Sequence, residues 1–174
     1  MFAEFSTCGR GRCSCSYSLT MIRRLLPLIP LLIAPSLHAE FKAGAAVIDI
    51  TPTKLPVLVN GGMLSRYIDK INTRVNARAI VATDGKTEIA IVVADSCMMS
   101  REVLDDAKKM ASAKTGIAPD RMLISATHAH SAPASMGCLG TDADPNYVPF
   151  LKEKLVEVIA AAQAAMKPAR IGFA

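Results

Sequence analysis

The order of segments between Thr87 and Ser125 constrains this chain most. Thr87–Ala94 carries an unbroken apolar run, Ile89-Ala90-Ile91-Val92-Val93-Ala94. Val103, Leu104, Ala107, Met110 and Ala111 then recur at helical spacing over Arg101 to Lys114. Ser100 stands where a helix cap belongs and Gly116 where a helix stops. Met122-Leu123-Ile124 is apolar again. Strand, helix, strand in this order gives two parallel strands joined by a right-handed crossover. Both strands then end at one edge, and ligands of open α/β sheets sit at that carboxyl edge. The run IAIVVA is apolar on both alternating sets of positions, which predicts a central strand covered on both faces.

The flanking segments extend the sheet. Val75–Thr83 is another apolar run, separated from Thr87–Ala94 by Asp84-Gly85-Lys86, and Asp-Gly between strands marks a hairpin. Ala45–Ile50 has a strand pattern stopped by Thr51-Pro52. Thr53 to Tyr67 reads as a loop. Within it Gly61-Gly62 permits either close backbone approach to a ligand or segment, or an ordinary flexible turn. Asp144-Pro145 opens a second helix, with aspartate at the cap and proline in the first turn. Val148, Leu151, Leu155, Val158, Ile159, Ala162 and Met166 form its core-facing stripe. Lys167-Pro168 ends it, and Ala169–Ala174 begins another strand. The expected class is α/β: a mixed sheet with a β-hairpin and parallel βαβ crossovers, truncated at the C-terminus.

The first 39 residues stand apart. Met21 to Ala39 has a basic start (Arg23, Arg24), an apolar core from Leu25 to Ala34 and a small-residue cleavage site ending in Ala39. That is a secretory signal, too short in its apolar part to span a membrane. It predicts an exported protein, periplasmic or secreted. Residues 1–20 carry Cys8, Cys13 and Cys15 upstream of a complete signal, so translation is expected to start at Met21. The chain's formal charge of +5 comes largely from this leader. Taking its four arginines and one glutamate from the 20 basic and 15 acidic residues leaves residues 40–174 nearly neutral. Nothing there calls for nucleic acid. Residues 40–174 suffice for one domain with a core.

Chemistry concentrates in Ser125-Ala126-Thr127-His128-Ala129-His130-Ser131, just after the Met122–Ile124 strand. The chain has 3 histidines, and the third, His38, lies in the leader. In extended backbone, side chains at i and i+2 share a side, so His128 and His130 can face one cavity. A His-x-His pair suits a metal, above all zinc. It also suits two polar loop residues with no shared task. Topology brings Asp95 to the same edge, where it either orients an imidazole or caps backbone amides. Cys97 and Cys138 also fall near that edge. Export permits a disulfide between them, and two buried thiols are the alternative. The loop Ala132–Asp144 is expected to lie over the site.

From about residue 44 to 174 the chain resembles the N-terminal part of the neutral/alkaline, non-lysosomal ceramidases. The resemblance runs through Asp49-Ile50-Thr51-Pro52, Asn76-Ala77-Arg78-Ala79, the strand ending at Asp95, Ser125 to Pro133 and Met166-Lys167-Pro168. It implies a zinc-dependent amidase acting on a lipid amide such as ceramide, with Zn2+ as cofactor and peripheral membrane contact open. It implies that His128 is a zinc ligand and that His130 assists catalysis. The family motif usually reads His-Thr-His-Ser-Gly-Pro, whereas this chain has Ala129 and Ala132. The family's other ligands (a histidine, a glutamate and a tyrosine) and its serine nucleophile lie downstream and match nothing here. The expectation is an N-terminal piece of a longer enzyme, inactive alone. Other readings are a non-catalytic lipid- or partner-binding module and a different His-x-His metallohydrolase, although the His-x-His-x-Asp-His pattern is absent.

Overall fold

Asp84 turns the chain as its dipeptide predicts. Its Oδ1 accepts from the backbone N–H groups of Lys86 (2.9 Å) and Thr87 (2.7 Å). The strands on either side, β4 (Asn76–Thr83) and β5 (Glu88–Ala94), pair antiparallel from Thr83↔Glu88 to Ala77↔Ala94. The structure is a computed structural model and describes residues 40–172. The expected extension (residues 1–20) and signal (residues 21–39) lie outside the described residues.

Strand β1 (Lys42–Asp49) pairs antiparallel with β4, from Lys42↔Thr83 to Asp49↔Asn76. A separate ribbon joins β2 (Val57–Val59) to β3 (Arg66–Ile68). Helix α1 (Arg101–Thr115) then carries the chain to β6 (Met122–Ala126), which lies parallel to β5. Helix α2 (Tyr147–Ala164) leads to β7 (Lys167–Pro168), so the sheet reads β6-β5-β4-β1-β7. The mixed α/β sheet and the crossover are as expected, with β5–β6 the parallel pair among the described strands.

Local signals set the helix ends. The Ser100 side chain accepts from Val103 N–H, and Gly116 closes α1 in the left-handed conformation, φ 77°. Helix α2 starts two residues later than its cap signal implies. Asp144 still caps it, since its Oδ1 accepts from Asn146 N–H and Tyr147 N–H, both at 2.9 Å. Leu151, Leu155, Val158, Ile159 and Ala162 are fully buried, as their spacing predicts. They pack on the inward set of the sheet, Ala77, Ala79, Val81, Ala90, Val92 and Ala94. Each large side chain so buried contributes about 1.5–3 kcal/mol.

Three expectations change. Thr53–Tyr67, read as a loop, instead holds β2 and the start of β3. Strand β5 is interior, second in the order, but among the described residues only one of its faces is covered. Both helices join the core on the Ala/Val side, so Ile89 and Ile91 look outward and stay 42% and 43% exposed. Ile80, Ile91 and Leu123 are register partners in one outward apolar row. The last strand is also shorter and earlier than Ala169–Ala174. After α2 the chain emerges beside β1, so Lys167 and Pro168 pair with Ala43 and Lys42. Among the described residues no helix is long and apolar enough to cross a membrane.

Candidate metal centre

Because β5 and β6 are parallel, both chains leave the sheet at one edge. The ladder gains one more bond there, Thr127 N–H to Ala94 O at 3.0 Å. Then the backbone turns. His128 has φ 62°, a left-handed conformation that an L-residue adopts at a cost of roughly 1–3 kcal/mol. Ala129 N–H bonds to Ser96 O (3.0 Å) and Ala132 N–H to Ala129 O (3.2 Å), which hold the turn. The two histidines do meet, though not by the extended alternation expected. The turn swings them together, with ring centroids 4.5 Å apart in an edge-on arrangement.

Each ring is fixed from behind. His128 Nδ1 lies 2.9 Å from Cys97 O, and His130 Nδ1 lies 2.9 Å from Gly61 O. A carbonyl only accepts, so both Nδ1 atoms must carry hydrogen and donate. In neutral rings both Nε2 atoms are then bare lone pairs. Those two atoms lie 2.9 Å apart and face each other. Two lone pairs at this distance repel unless a cation, a proton or a metal ion, is held with them. Metal-bound histidines commonly donate their other N–H to a carbonyl, as both do here. The donor set therefore fits a metal ion such as zinc.

Gly61 resolves as a close approach, not a free turn. Its φ is 99°, and a Cβ there would lie 2.7 Å from His130 Cα and 2.8 Å from His130 Cβ. Only glycine lets the Gly61 carbonyl reach the ring. The loop Ala132–Asp144 does not cover the histidines. It packs beside the β2–β3 ribbon, with Ala134 N–H on Leu58 O at 2.8 Å and Leu58 N–H on Asp144 Oδ2 at 2.9 Å. His130 instead borders a cleft of about 580 Å³ walled by the Gly61–Arg66 loop. A second cleft, about 450 Å³, runs past Asp95, Ala129 and Ser131.

Asp95 reaches this edge but does not orient an imidazole. Its Oδ1 pairs with Arg78 at 2.9 Å, and its Oδ2 accepts from Asn76 N–H at 2.9 Å. Burial pushes its carboxyl up, and the Arg78 and Asn76 hydrogen bonds outweigh that and hold it below the usual range. Of the alternative role, capping backbone amides, it makes one bond, from Asn76 N–H. Cys97 and Cys138 are free thiols. Cys97 is 2% exposed, and burial pushes its thiol up. Its Sγ and one ring nitrogen each of His128 and His130 all lie within 4.8 Å of one another. The backbone on both sides is pinned: Ser96 Oγ lies 2.8 Å from Ser135 Oγ, and both hydroxyls bond to Met98 O. The site's backbone contributors, Gly61 O and Cys97 O, were missed by side-chain reasoning. The glycine pair was their one sequence signal.

No family model matches the chain, and no curated protein matches it. Solved structures do. The crystal structure of neutral ceramidase from Pseudomonas aeruginosa matches with a TM-score of 0.64 and 21% identity, over 75% of this chain and 22% of that one. A ceramidase complexed with C2 matches with a TM-score of 0.62 and 20% identity, again over 75% of this chain and 22% of that one. This chain thus spans about a fifth of their length. At that identity the likeness establishes the fold, and in fold the chain is similar to part of the neutral ceramidases, as its motifs imply.

Proposed function

We propose that this chain is the N-terminal part of an exported zinc-dependent amidohydrolase that cleaves the N-acyl bond of ceramide or a related lipid amide. One observation carries the reading. On a ceramidase-like fold, His128 and His130 converge with their Nε2 atoms 2.9 Å apart, each with Nδ1 on a carbonyl. In this reading His128 holds the zinc through Nε2. Zinc there would supply Lewis acidity, polarising an amide carbonyl and acidifying water. The protein's own share is orientation and proton movement. Cys97 O fixes the His128 ring, and Gly61 O fixes the His130 ring. That leaves His130 Nε2 as a free base, able to take a proton from water and return it to the departing amine. Both histidines are exposed, and His130 lines the cleft beside the Gly61–Arg66 loop, from which a substrate can reach it.

The test starts from the coding sequence past Ala174. The encoded chain is expressed, its zinc is counted, and hydrolysis of a fluorogenic N-acyl sphingosine is followed. His128→Ala is expected to lose both zinc and turnover. Full zinc stoichiometry in the His128→Ala protein would overturn the assignment.

A further inference from the structure

The loop that holds the His130 ring through Gly61 O also carries an apolar tip. Two residues past Gly61 come Met63 and Leu64, which are 74% and 81% exposed and line the same cleft as His130. A second tip stands beside the first. Cys138 and Thr141 close a tight turn, with Cys138 N–H on Thr141 O at 2.8 Å and Thr141 N–H on Cys138 O at 3.1 Å. Leu139 and Gly140 form its head. Leu139 has φ 55°, a left-handed conformation that costs an L-residue energy, and it is 65% exposed. Gly140 seats this turn against the first tip, since a Cβ there would lie 2.6 Å from Met63 O and 3.7 Å from Leu64 Cα. Behind Met63 and Leu64, Arg66 and Tyr67 are exposed as well.

We propose that these two tips dock on a lipid bilayer surface, with Met63, Leu64 and Leu139 entering the acyl boundary and Arg66 and Tyr67 at headgroup depth. The proposal rests on reading the site as one for a lipid amide, and adds where the chain meets the phase that holds such a substrate. An exposed apolar patch with a polar rim marks either a protein partner or a membrane. Two observations favour lipid. First, Met63 and Leu64 wall the cleft that His130 lines, so a lipid drawn from the bilayer at the tip enters beside the proposed base. Second, the order along the loop is that of an interfacial anchor. Apolar Met63 and Leu64 lead, and Arg66 and Tyr67 follow, residues that lay an apolar body in lipid and keep a polar end at the surface.

The chain contains no tryptophan, so one introduced indole reports its own surroundings. The test compares Leu64→Trp with Leu123→Trp, an exposed control on the outward sheet row, each in the full chain. The probe is a vesicle of phosphatidylcholine with a minor share of phosphatidylglycerol, its acyl chains brominated to quench indole. Leu64→Trp is expected to shift to the blue and to be quenched when vesicles are added, and Leu123→Trp to stay as in buffer. The leader can itself meet lipid, so the difference between the two positions is the reading. Met63→Ser combined with Leu64→Ser is expected to weaken the vesicle affinity of the longer encoded chain by about tenfold or more. No quenching at Leu64→Trp, or quenching as strong at Leu123→Trp, overturns the docking and leaves the histidine centre standing. A Leu64→Trp spectrum already blue-shifted before vesicles are added also overturns it, and marks a protein surface as what covers the tips. Selective quenching at Leu64→Trp, with an encoded chain that neither holds zinc nor hydrolyses the N-acyl sphingosine, supports the docking and overturns the proposed activity.

Discussion

The helix-covered face of the sheet and the carboxyl edge of β5 and β6 are built by different means. The covered face repeats one interaction many times. Alanine and valine of β4 and β5 meet the leucine, valine and isoleucine stripe of α2, and no single contact decides the outcome. The edge depends on contacts that occur once. They include a left-handed histidine, a glycine against a ring, two carbonyls behind two imidazoles and one aspartate shared by three amides. Damage to the first region should therefore lower stability and spare the donors. Damage to the second should disturb the donors at small cost in stability.

The largest effect belongs to the covered face. Leu155 is fully buried in the middle of α2. Leu155→Ala is expected to destabilise the fold by about 2–5 kcal/mol through lost burial and an unfilled cavity. Chemical denaturation followed by circular dichroism measures this. Below the transition, zinc stoichiometry should match that of the parent chain. A folded Leu155→Ala protein without zinc would erase the proposed separation of the two regions.

Gly61→Ala comes next and strikes the edge. A left-handed φ costs an L-residue roughly 1–2 kcal/mol, and the new methyl would collide with His130. The Gly61 carbonyl must then withdraw from His130 Nδ1. The expected readout is a change in the His130 imidazole resonances, far larger than the change at Leu155. Unchanged His130 resonances would mean that the carbonyl does not set the ring.

These two sites also differ in how far they can be read from sequence. Leu155 belongs to a stripe with helical period. Ser100, Gly116 and Asp84-Gly85 mark their ends and turn by chemistry that acts within a few residues. Such features are local, so they are legible. The His-x-His pair was legible as a pair, but the turn that unites it was not, because a left-handed histidine has no composition signal. The carbonyls of Gly61 and Cys97 are backbone groups brought in by tertiary packing, and no side-chain pattern names them. The outward row of Ile80, Ile91 and Leu123 makes the same point for the sheet. Apolarity on two faces predicts a central strand, yet does not say which face the helices take.

His130→Ala gives a smaller effect on the fold. The side chain is exposed, so stability should move by about 0.5 kcal/mol or less. The variant is expected to keep most of its zinc and to lose the proton-accepting Nε2. Zinc content beside turnover in the longer encoded chain separates the two roles. Loss of zinc equal to that of His128→Ala would make His130 a ligand and end the division of labour proposed for the pair.

The smallest effect tests whether single polar contacts also tie down the start of the edge. Asp49 ends β1, opposite Asn76 and so at the same edge as Asp95. The Thr51 hydroxyl, the Thr51 N–H at 2.8 Å and the Arg74 guanidinium together hold its carboxyl at about 2, against an ordinary 3.8, with burial opposing them. A carboxylate whose folded value is depressed stabilises the fold fully above its unfolded value and loses that contribution as pH falls. The loss should therefore run from about pH 4 down to about pH 2. The Asp49 side chain is 39% exposed and Arg74 76%, so solvent screening limits the contribution to under about 1 kcal/mol. Denaturation midpoints taken from about pH 5 to about pH 2 should fall less steeply in Asp49→Asn than in the parent chain. Asparagine can still accept from Thr51 N–H, so the neutral-pH fold is kept while the ionisable group is removed. Parallel acid limbs in the two proteins would mean that Asp49 does not hold this edge through its charge.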